Sequence, residues 1–387
     1  MANIQKKKNR PVHVVIMPRD PNKGFEFFET NDYEIAYDII AQPTSRFTAY
    51  VNADKWKRGD YVMVKYKDSD KILFTGIVDG FEIPDLDTEP KVLNCMPMEG
   101  VMKTVEIPAT YIYTGQASSP VVGGWELHMS RLVTKFITNS VSKQATNLTS
   151  TNSTNTTFKY KPSQTGITPT NMLDYFVNGF KKYRAVWAPV TFNTTTRAIV
   201  MQMRVPTKNI KIKDNVRDFS DWSFTTTVGT INPNMVYVYN PVVPTATGNT
   251  QNSETIAQRS YWYMYTDGSI VQGDGGGADL NRIQLPTQSV MVVRQTQDAT
   301  SEDKQLASDA LSAGQYAHEF KFLLDLESEI LNFDDLEIGM TADITFHGKL
   351  YKSVFTGYNL KSKSATVELT FGHNRNKLAT RLREKLE

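Results

Sequence analysis

The chain has 387 residues, 40% of them hydrophobic and 22% charged, and 43 basic against 41 acidic side chains leave a formal net charge of +2. That length predicts two to four folded modules, and the near-balance of charge excludes a global field able to hold a polyanion. A single cysteine, Cys95, excludes an internal disulfide and the cysteine-rich zinc sites. Beside Pro97 and two methionines, its thiol reads as a small core group rather than a nucleophile. The opening MANIQKKKNR is basic with no apolar stretch behind it, so no secretory signal is predicted. No run approaches the roughly 18 apolar residues of a membrane span, so no membrane anchor is expected and synthesis in a cytoplasm is.

The first hundred residues read as β. Val12, Val14 and Ile16 alternate before Pro18 and Pro21 stop the run, and Phe47, Ala49 and Val51 alternate against Arg46, Thr48 and Tyr50. Gly59-Asp60 precedes a strand from Tyr61 to Tyr66, a charged turn, and a return through Phe74-Thr-Gly76 to Val78. A helix is predicted between Trp125 and Ser140 from Met129, Leu132, Val133, Phe136 and Ile137 at helical spacing. Ser140 to Thr157 is rich in Ser, Thr and Asn and reads as an exposed loop or weakly structured ribbon. A second helix is predicted from Thr170 as cap, burying Leu173, Phe176, Val177 and Phe180, followed by paired strands at Tyr183–Val190 and Arg197–Val205. Short strands follow at Met235–Tyr239, Ser260–Tyr265 and Ser289–Val293, then a helix from about Thr300 to His318. The last segment returns to β and closes on a short helix from about Asn374, with Leu378, Leu382 and Leu386 on one stripe.

Residues 59–78, GDYVMVKYKDSDKILFTGIV, echo residues 339–358, GMTADITFHGKLYKSVFTGY. Each has a glycine, a strand ending in an aromatic, a polar turn, and a strand ending in Phe-Thr-Gly. Two related β-barrel modules near the chain ends would explain the echo. Three such chains would present six near-equivalent modules, turning a threefold assembly into a pseudo-sixfold ring. The expected fold class is β-rich α+β and multidomain: two related tube-like β-barrel modules with inserted helices and a short C-terminal helix. The expected domains are 1–108 (first barrel), 109–320 (a middle α+β region divided near 205–220) and 321–387 (second barrel with terminal helix).

The strand Arg46-Phe-Thr-Ala-Tyr50, the Gly59-Asp60 hairpin returning through Phe74-Thr-Gly76, Val354-Phe-Thr-Gly357 and Val367-Glu-Leu-Thr-Phe-Gly372 resemble a known family. It is the baseplate hub, or tail-associated structural protein, of siphophages infecting Gram-positive bacteria, related in fold to the central hub of contractile tails. The resemblance is carried by roughly the first 100 and last 60 residues. It implies a homotrimeric ring at the distal tail tip of the virion, closing the tube and opening for DNA ejection. Expected partners are the distal tail protein, the tape measure protein and receptor-binding proteins, with DNA passing through the lumen without sequence reading. Phe47, Gly59, Asp60, Phe74, Gly76, Gly339, Phe355, Gly357 and Gly372 are then structural positions of the barrels. Many relatives continue into a lytic or fibre-like domain; a chain ending at Glu387 is expected to be a short form without one.

The residues carry no specific catalytic constellation, and none is expected. His13, His128, His318, His347 and His373 are scattered without a metal-gripping pair, and neither a Gly-x-Ser-x-Gly elbow nor a P-loop is present. In Gly273-Asp-Gly-Gly-Gly-Ala-Asp279 the carboxylates Asp274 and Asp279 are calcium candidates, against a flexible turn as the simpler reading. No cofactor is otherwise expected; the family's tail tips can use calcium to trigger opening. Tyr261, Tyr263 and Tyr265 share a strand face that suits a saccharide or a packed interface. The basic ends, Lys6–Lys8 and Arg375 to Lys385, read as solvated faces. Two alternatives stand beside the hub: a cell-wall hydrolase centred in residues 118–293, and a saccharide-binding tail protein.

Overall fold

A computed structural model of the chain describes residues 10–50, 56–69, 71–82, 90–108, 111, 124–140, 147–154, 169–226, 233–239, 260–265, 268–273, 279, 289–293 and 303–374. Strands β1 (Val12–Met17), β2 (Glu26–Thr30), β3 (Tyr33–Asp38), β4 (Ser45–Ala49), β5 (Tyr61–Tyr66), β6 (Ile72–Glu82) and β7 (Lys91–Pro97) form a first wing. Its order is β3-β4-β7-β6-β5-β1-β2, antiparallel throughout. The alternation read from the sequence sets which side faces in: Ser45, Phe47 and Ala49 are buried while Arg46 is exposed. The wing curls until β2 lies beside β4, with no ladder joining them.

A single 3-10 turn, Met98–Met102, leads from β7 into the middle region of β8 (Glu106–Ile107), α1 (Trp125–Val133), β9 (Leu148–Asn152), β10 (Thr170–Asn171), α2 (Met172–Tyr183), β11 (Val186–Asn193) and β12 (Ala198–Arg204). α1 runs on into a π-helical turn, Thr134–Thr138, so the predicted helix is present but changes pitch. The cap of α2 is Asn171 rather than the predicted Thr170; its side chain accepts from the Leu173 and Asp174 N–H groups. Inside the segment predicted as a loop, β9 pairs in parallel with β12. Its neighbour β11 completes a three-stranded sheet whose core continues through both helices. Local polarity hid β9 because only Leu148 and Ser150 turn inward.

β13 (Asn209–Lys213) and β14 (Phe219–Thr226), at the expected boundary near 205–220, belong to a second wing. Between them and the rest of that wing come β15 (Met235–Tyr239), β16 (Ser260–Met264), β17 (Ile270–Gln272), β18 (Ser289–Val293) and α3 (Asp303–Leu311). α3 covers one face of this small sheet through Ala307 and Leu311 against Val236, Val238, Trp262 and Met264. The predicted helix from Thr300 to His318 ends earlier, at Leu311. A 3-10 turn through Gly314 follows, and His318 opens a strand despite the alanine stripe. The expected helix after Asn374 lies outside the described residues.

β19 (His318–Asp325), β20 (Thr341–Phe346), β21 (Lys349–Lys361) and β22 (Thr366–Phe371) complete the second wing in the order β14-β19-β22-β21-β20-β13. Taken in chain order, β14, β19, β20, β21 and β22 repeat the permutation of β3, β4, β5, β6 and β7. The wings differ at the far edge, where β1 runs antiparallel to β5 but β13 runs parallel to β20.

The wings are not two separate closed barrels: no closed barrel forms among the described residues, and one antiparallel rung set joins the halves. The cause is the length of β21. Its first half, Lys349–Val354, pairs with β20, and its second half, Gly357–Lys361, leaves β20 and pairs with β3. One core therefore runs through both wings, from Val12, Phe47, Phe74 and Leu93 to Phe320, Phe355, Leu369 and Phe371.

The sequence echo is real as geometry but shifted in register. Gly59 and Gly339 both sit in the left-handed region, at φ +91° and +90°. The Gly59 N–H donates to Val78 O at 2.7 Å, and the Gly339 N–H to Phe355 O at 2.8 Å. Val78 and Phe355 donate back to Asp60 O and Met340 O, both at 2.8 Å. Each wing then has a bulge at the same place, between Val78 and Gly80 against β7 and between Phe355 and Gly357 against β22. The counterpart of Phe355-Thr-Gly357 is Val78-Asp-Gly80, not the lettered match Phe74-Thr-Gly76.

Candidate functional site

The seam between the wings holds the most unusual chemistry among the described residues. At its centre Tyr37 of β3 lies opposite Tyr358 of β21, their rings stacked with centroids 5.9 Å apart. The Tyr358 hydroxyl donates to Leu73 O at 2.6 Å, tying β21 to β6 of the other wing. The Tyr37 hydroxyl donates to Glu99 Oε1 at 2.6 Å. Glu99 comes from the 3-10 turn after β7 and is only 1% exposed. Burial pushes its carboxyl up to about 7, although the Tyr37 hydrogen bond favours the charged form. Burial and the Glu99 carboxyl push the Tyr37 phenol well above its ordinary value.

A cavity of about 500 Å³ opens beside this carboxyl, bounded by the seam, β6, the middle sheet and residues 333–340. Two ion pairs stand in its wall: Arg204 Nε to Glu337 Oε1 at 2.7 Å, and Lys71 Nζ to Asp334 Oδ1 at 3.6 Å. Lys71 also donates to Asp334 O. Trp187 and Phe333 line it as well. A buried carboxyl held near neutrality is the kind of perturbed group that marks a candidate functional site.

The other titratable groups are placed as packing. Cys95 is buried on the β4–β7 ladder opposite Ser45, and burial pushes its thiol well above the ordinary range. His128 and His318 are both held down to about 4 by burial; His128 Nε2 meets Tyr175 Oη at 3.1 Å and His318 Nε2 meets Ser353 Oγ at 2.9 Å. The His318–Ser353 pair has the residue types of a hydrolase nucleophile and base, but Ser353 has no exposed surface, so a substrate carbonyl cannot reach it. Among the described residues no group of three or more His, Cys, Asp and Glu is arranged to hold a metal ion, and no helix is long and apolar enough to cross a membrane.

No family model matches the chain, and no curated protein matches it. Solved structures do match. A component of the phage p2 baseplate in its activated conformation with Ca aligns over 95% of this chain and 100% of its own, at 12% identity and a TM-score of 0.44. A prophage tail protein from Listeria monocytogenes aligns over 96% and 98%, at 12% identity and a TM-score of 0.47. A tail protein from Neisseria meningitidis aligns over 94% and 96%, at 10% identity and a TM-score of 0.48. These neighbours are phage baseplate and prophage tail proteins.

The structural positions picked out from the sequence fall in the two wings rather than in one site. Phe47 and Phe74 meet in the first wing with ring centroids 6.2 Å apart, and Phe355 meets Phe371 at 5.1 Å in the second. Asp60 is 4% exposed and accepts from the Arg19 N–H at 3.1 Å and the Lys57 N–H at 2.9 Å, closing the turn before β5. Gly76 and Gly357 lie where another strand's backbone approaches, against Met96 O and Tyr37 O. Gly339 and Gly372 both have positive φ, at ends of strands. Of the calcium candidates, Asp279 is exposed and donates its N–H to the Tyr265 hydroxyl at 2.7 Å, while Asp274 lies outside the described residues. His347 occupies a left-handed turn position before Gly348, as its sequence context suggests.

The site residues themselves, Tyr37, Glu99 and Tyr358, were not singled out by the sequence. One clue was available: Glu99 is a lone carboxylate in the run Cys95-Met-Pro-Met-Glu-Gly100-Val-Met102. An acid amid methionines is unusual enough to suggest burial. That Tyr37 and Tyr358, 321 positions apart, would stack on each other beside it depends on β21 crossing to β3, which no local pattern encodes.

Proposed function

We propose that the chain is a structural subunit of a phage tail tip, a baseplate hub assembling as a homotrimeric ring. The ring closes the tail tube, anchors the distal tail protein, the tape measure protein and receptor-binding proteins, and opens for DNA ejection. The observation that carries this reading is the repeated wing: one chain holds the same strand permutation twice, with matching glycine entries and matching bulges. Three chains then present six near-equivalent wings, which suits a joint between a threefold tip and a sixfold tube. The residue resemblance to tail hubs lies in those two wings. The curl of the first wing, with β2 beside β4, is one ladder short of a tube-like barrel.

The reading is of a protein that works by assembly and opening, with DNA passing along the lumen, and not by catalysis. Burial of Ser353 and Cys95 supports the non-enzymatic half. Light scattering tests the assembly: a mass of about 131 kDa, three copies of the 43.7 kDa chain, is expected. A monomer at every micromolar concentration, alone and with the distal tail protein, would overturn it. Negative-stain class averages should show a threefold ring, and a zymogram on host peptidoglycan should stay clear of lysis.

A further inference from the structure

The small sheet β15–β18 has no counterpart in the first wing. There β3 and β4 are joined by residues 39–44 alone, whereas their equivalents β14 and β19 are separated by residues 227–317, which hold this sheet and α3. The first wing keeps the shared strand order without such an insertion, so the insertion carries a task of its own.

Its two faces are unlike. Period-2 alternation turns Val236, Val238, Trp262 and Met264 towards α3, where all four are buried in one core. The alternate residues Tyr237, Tyr239, Tyr261 and Tyr263 lie on the opposite face and are partly exposed. Met291, the partner of Tyr237 on β18, is 71% exposed. Among the described residues none of these five joins a core cluster. One rung sets Tyr237 between Met291 and Tyr261, and the Tyr237 ring centroid lies 5.1 Å from that of Tyr261 and 6.3 Å from that of Tyr239.

The chemistry of that face narrows what it can hold. β15, β16, β17 and β18 contain no Asp, Glu, Lys, Arg or His. A phosphate backbone would find no cation on these strands, and a metal ion no carboxylate. The Tyr237 and Tyr239 hydroxyls make no hydrogen bond among the described residues, so an aliphatic partner surface would desolvate them without pairing them. A sugar ring presents weakly positive C–H bonds to the negative face of an aromatic ring, and hydroxyls to phenols. It therefore matches both the rings and the polar tips of this surface.

We propose that the tyrosine face of β15 and β16 is a binding site for an uncharged oligosaccharide, which lies against the rings of Tyr237, Tyr239 and Tyr261 and pairs its hydroxyls with the phenols. The site goes beyond the hub reading and does not rest on it, since it belongs to the insertion and not to the wings.

The experiment is saturation-transfer NMR on the full chain, irradiating aromatic protons, with maltohexaose, cellohexaose, mannohexaose and chitohexaose, and with oligogalacturonate as a charged contrast. Saturable transfer to the C–H protons of at least one neutral sugar is expected, with a Kd of about 0.1–1 mM and the charged sugar about tenfold weaker. Tyr237→Ala should weaken the neutral sugar about tenfold. If that variant does not fold, the double variant Tyr237→Phe, Tyr239→Phe keeps both rings, and loss of the two hydroxyls should weaken binding about threefold. The proposal is overturned by no transfer to any neutral sugar, by oligogalacturonate binding as tightly, or by an unchanged affinity in whichever variant folds. If no sugar binds and Tyr237→Ala lowers the mass seen in light scattering, the face is a contact between copies, and the proposal fails. Sugar binding is read without reference to oligomeric mass, so failure here and failure of the hub reading are separate results.

Discussion

Substituting the two bulge glycines tests whether the wings are joined where β21 crosses to β3. A Cβ on Gly357 would lie 2.5 Å from Tyr37 O and 2.9 Å from the Cα and Cβ of Asp38. Ordinary contact is about 3.4–4 Å, so nearly an ångström must be found, and the obstacle is strand backbone rather than a side chain that can swing aside. Overpacking of this kind costs about 1–3 kcal/mol, set against about 0.4–1 kcal/mol gained by restricting the unfolded chain. Gly357→Ala is therefore expected to destabilise by about 1–2 kcal/mol. At the equivalent rung of the first wing, Gly80 has nothing within 4 Å, and its φ is not positive. Gly80→Ala keeps the unfolded-state gain without the clash and should be neutral or stabilising by up to about 1 kcal/mol. Urea unfolding followed by tryptophan fluorescence reads both variants on one axis. Equal shifts for the two would refute the crossing of β21 onto β3, because the difference arises only from β3 lying against Gly357.

Glu99 makes a pH prediction with a definite sign. Its folded value of about 7 lies above its ordinary 4.5, so through that window the folded state keeps a proton that the unfolded state releases, and stability falls as pH rises. Wild type should lose about 3 kcal/mol relative to Glu99→Gln between pH 4.5 and 7, with no further loss above, as read by denaturation at a series of pH values. His318 runs the other way: its folded value of about 4 lies below 6.5, so its contribution is complete above 6.5 and lost as pH falls towards 4. His318→Gln should flatten that acid limb, and an unchanged limb would contradict the buried neutral ring. Gly179→Ala sets helix propensity against packing; propensity favours alanine by about 1 kcal/mol, but the new Cβ would fall 1.9 Å from Trp125 Cζ2. Destabilisation and an altered Trp125 near-UV signal are expected. Asn171→Ala should cost about 1 kcal/mol in thermal unfolding through loss of the α2 cap.

Elements whose pattern is local were legible in the sequence. The alternation of β4, the hairpin of β11 and β12, and the stripe of α2 each follow from side chains that choose between core and water over a few residues. Where the reading failed, the deciding contact was distant. β9 is a polar strand stabilised by its parallel neighbour β12, about fifty residues away. α3 stops at Leu311 because the chain must turn through Gly314 to lay β19 between β14 and β22, whatever the alanine stripe prefers. The seam site is the extreme case, since its three groups come from β3, the turn after β7, and β21.

The echo between residues 59–78 and 339–358 shows why letters and rungs separate. Matching Phe-Thr-Gly to Phe-Thr-Gly aligns side chains of the same type, but the ladder aligns residues that exchange the same hydrogen bonds. By that measure Phe355 corresponds to Val78, and the first-wing Phe74 corresponds to Tyr351, each the partner of the fifth residue after its glycine. The first hairpin is longer by the residues of its charged turn, which moves its Phe-Thr-Gly further back along β6. What recurs is then the demand made by the backbone: a left-handed glycine at entry, a bulge on the return strand, and a glycine at the far side of the bulge. Gly80 and Gly357 meet that demand in opposite surroundings. The bend at Gly357 carries β21 across to another wing, whereas the bend at Gly80 leaves β6 on β7 alone. Two copies of one device, one used to join and one left open at the same place, give a chain whose halves are equivalent in strand order and inequivalent in contact. A ring built from three such chains would alternate the two kinds of wing around its axis, each covalent pair held by a seam that includes Tyr37, Glu99 and Tyr358.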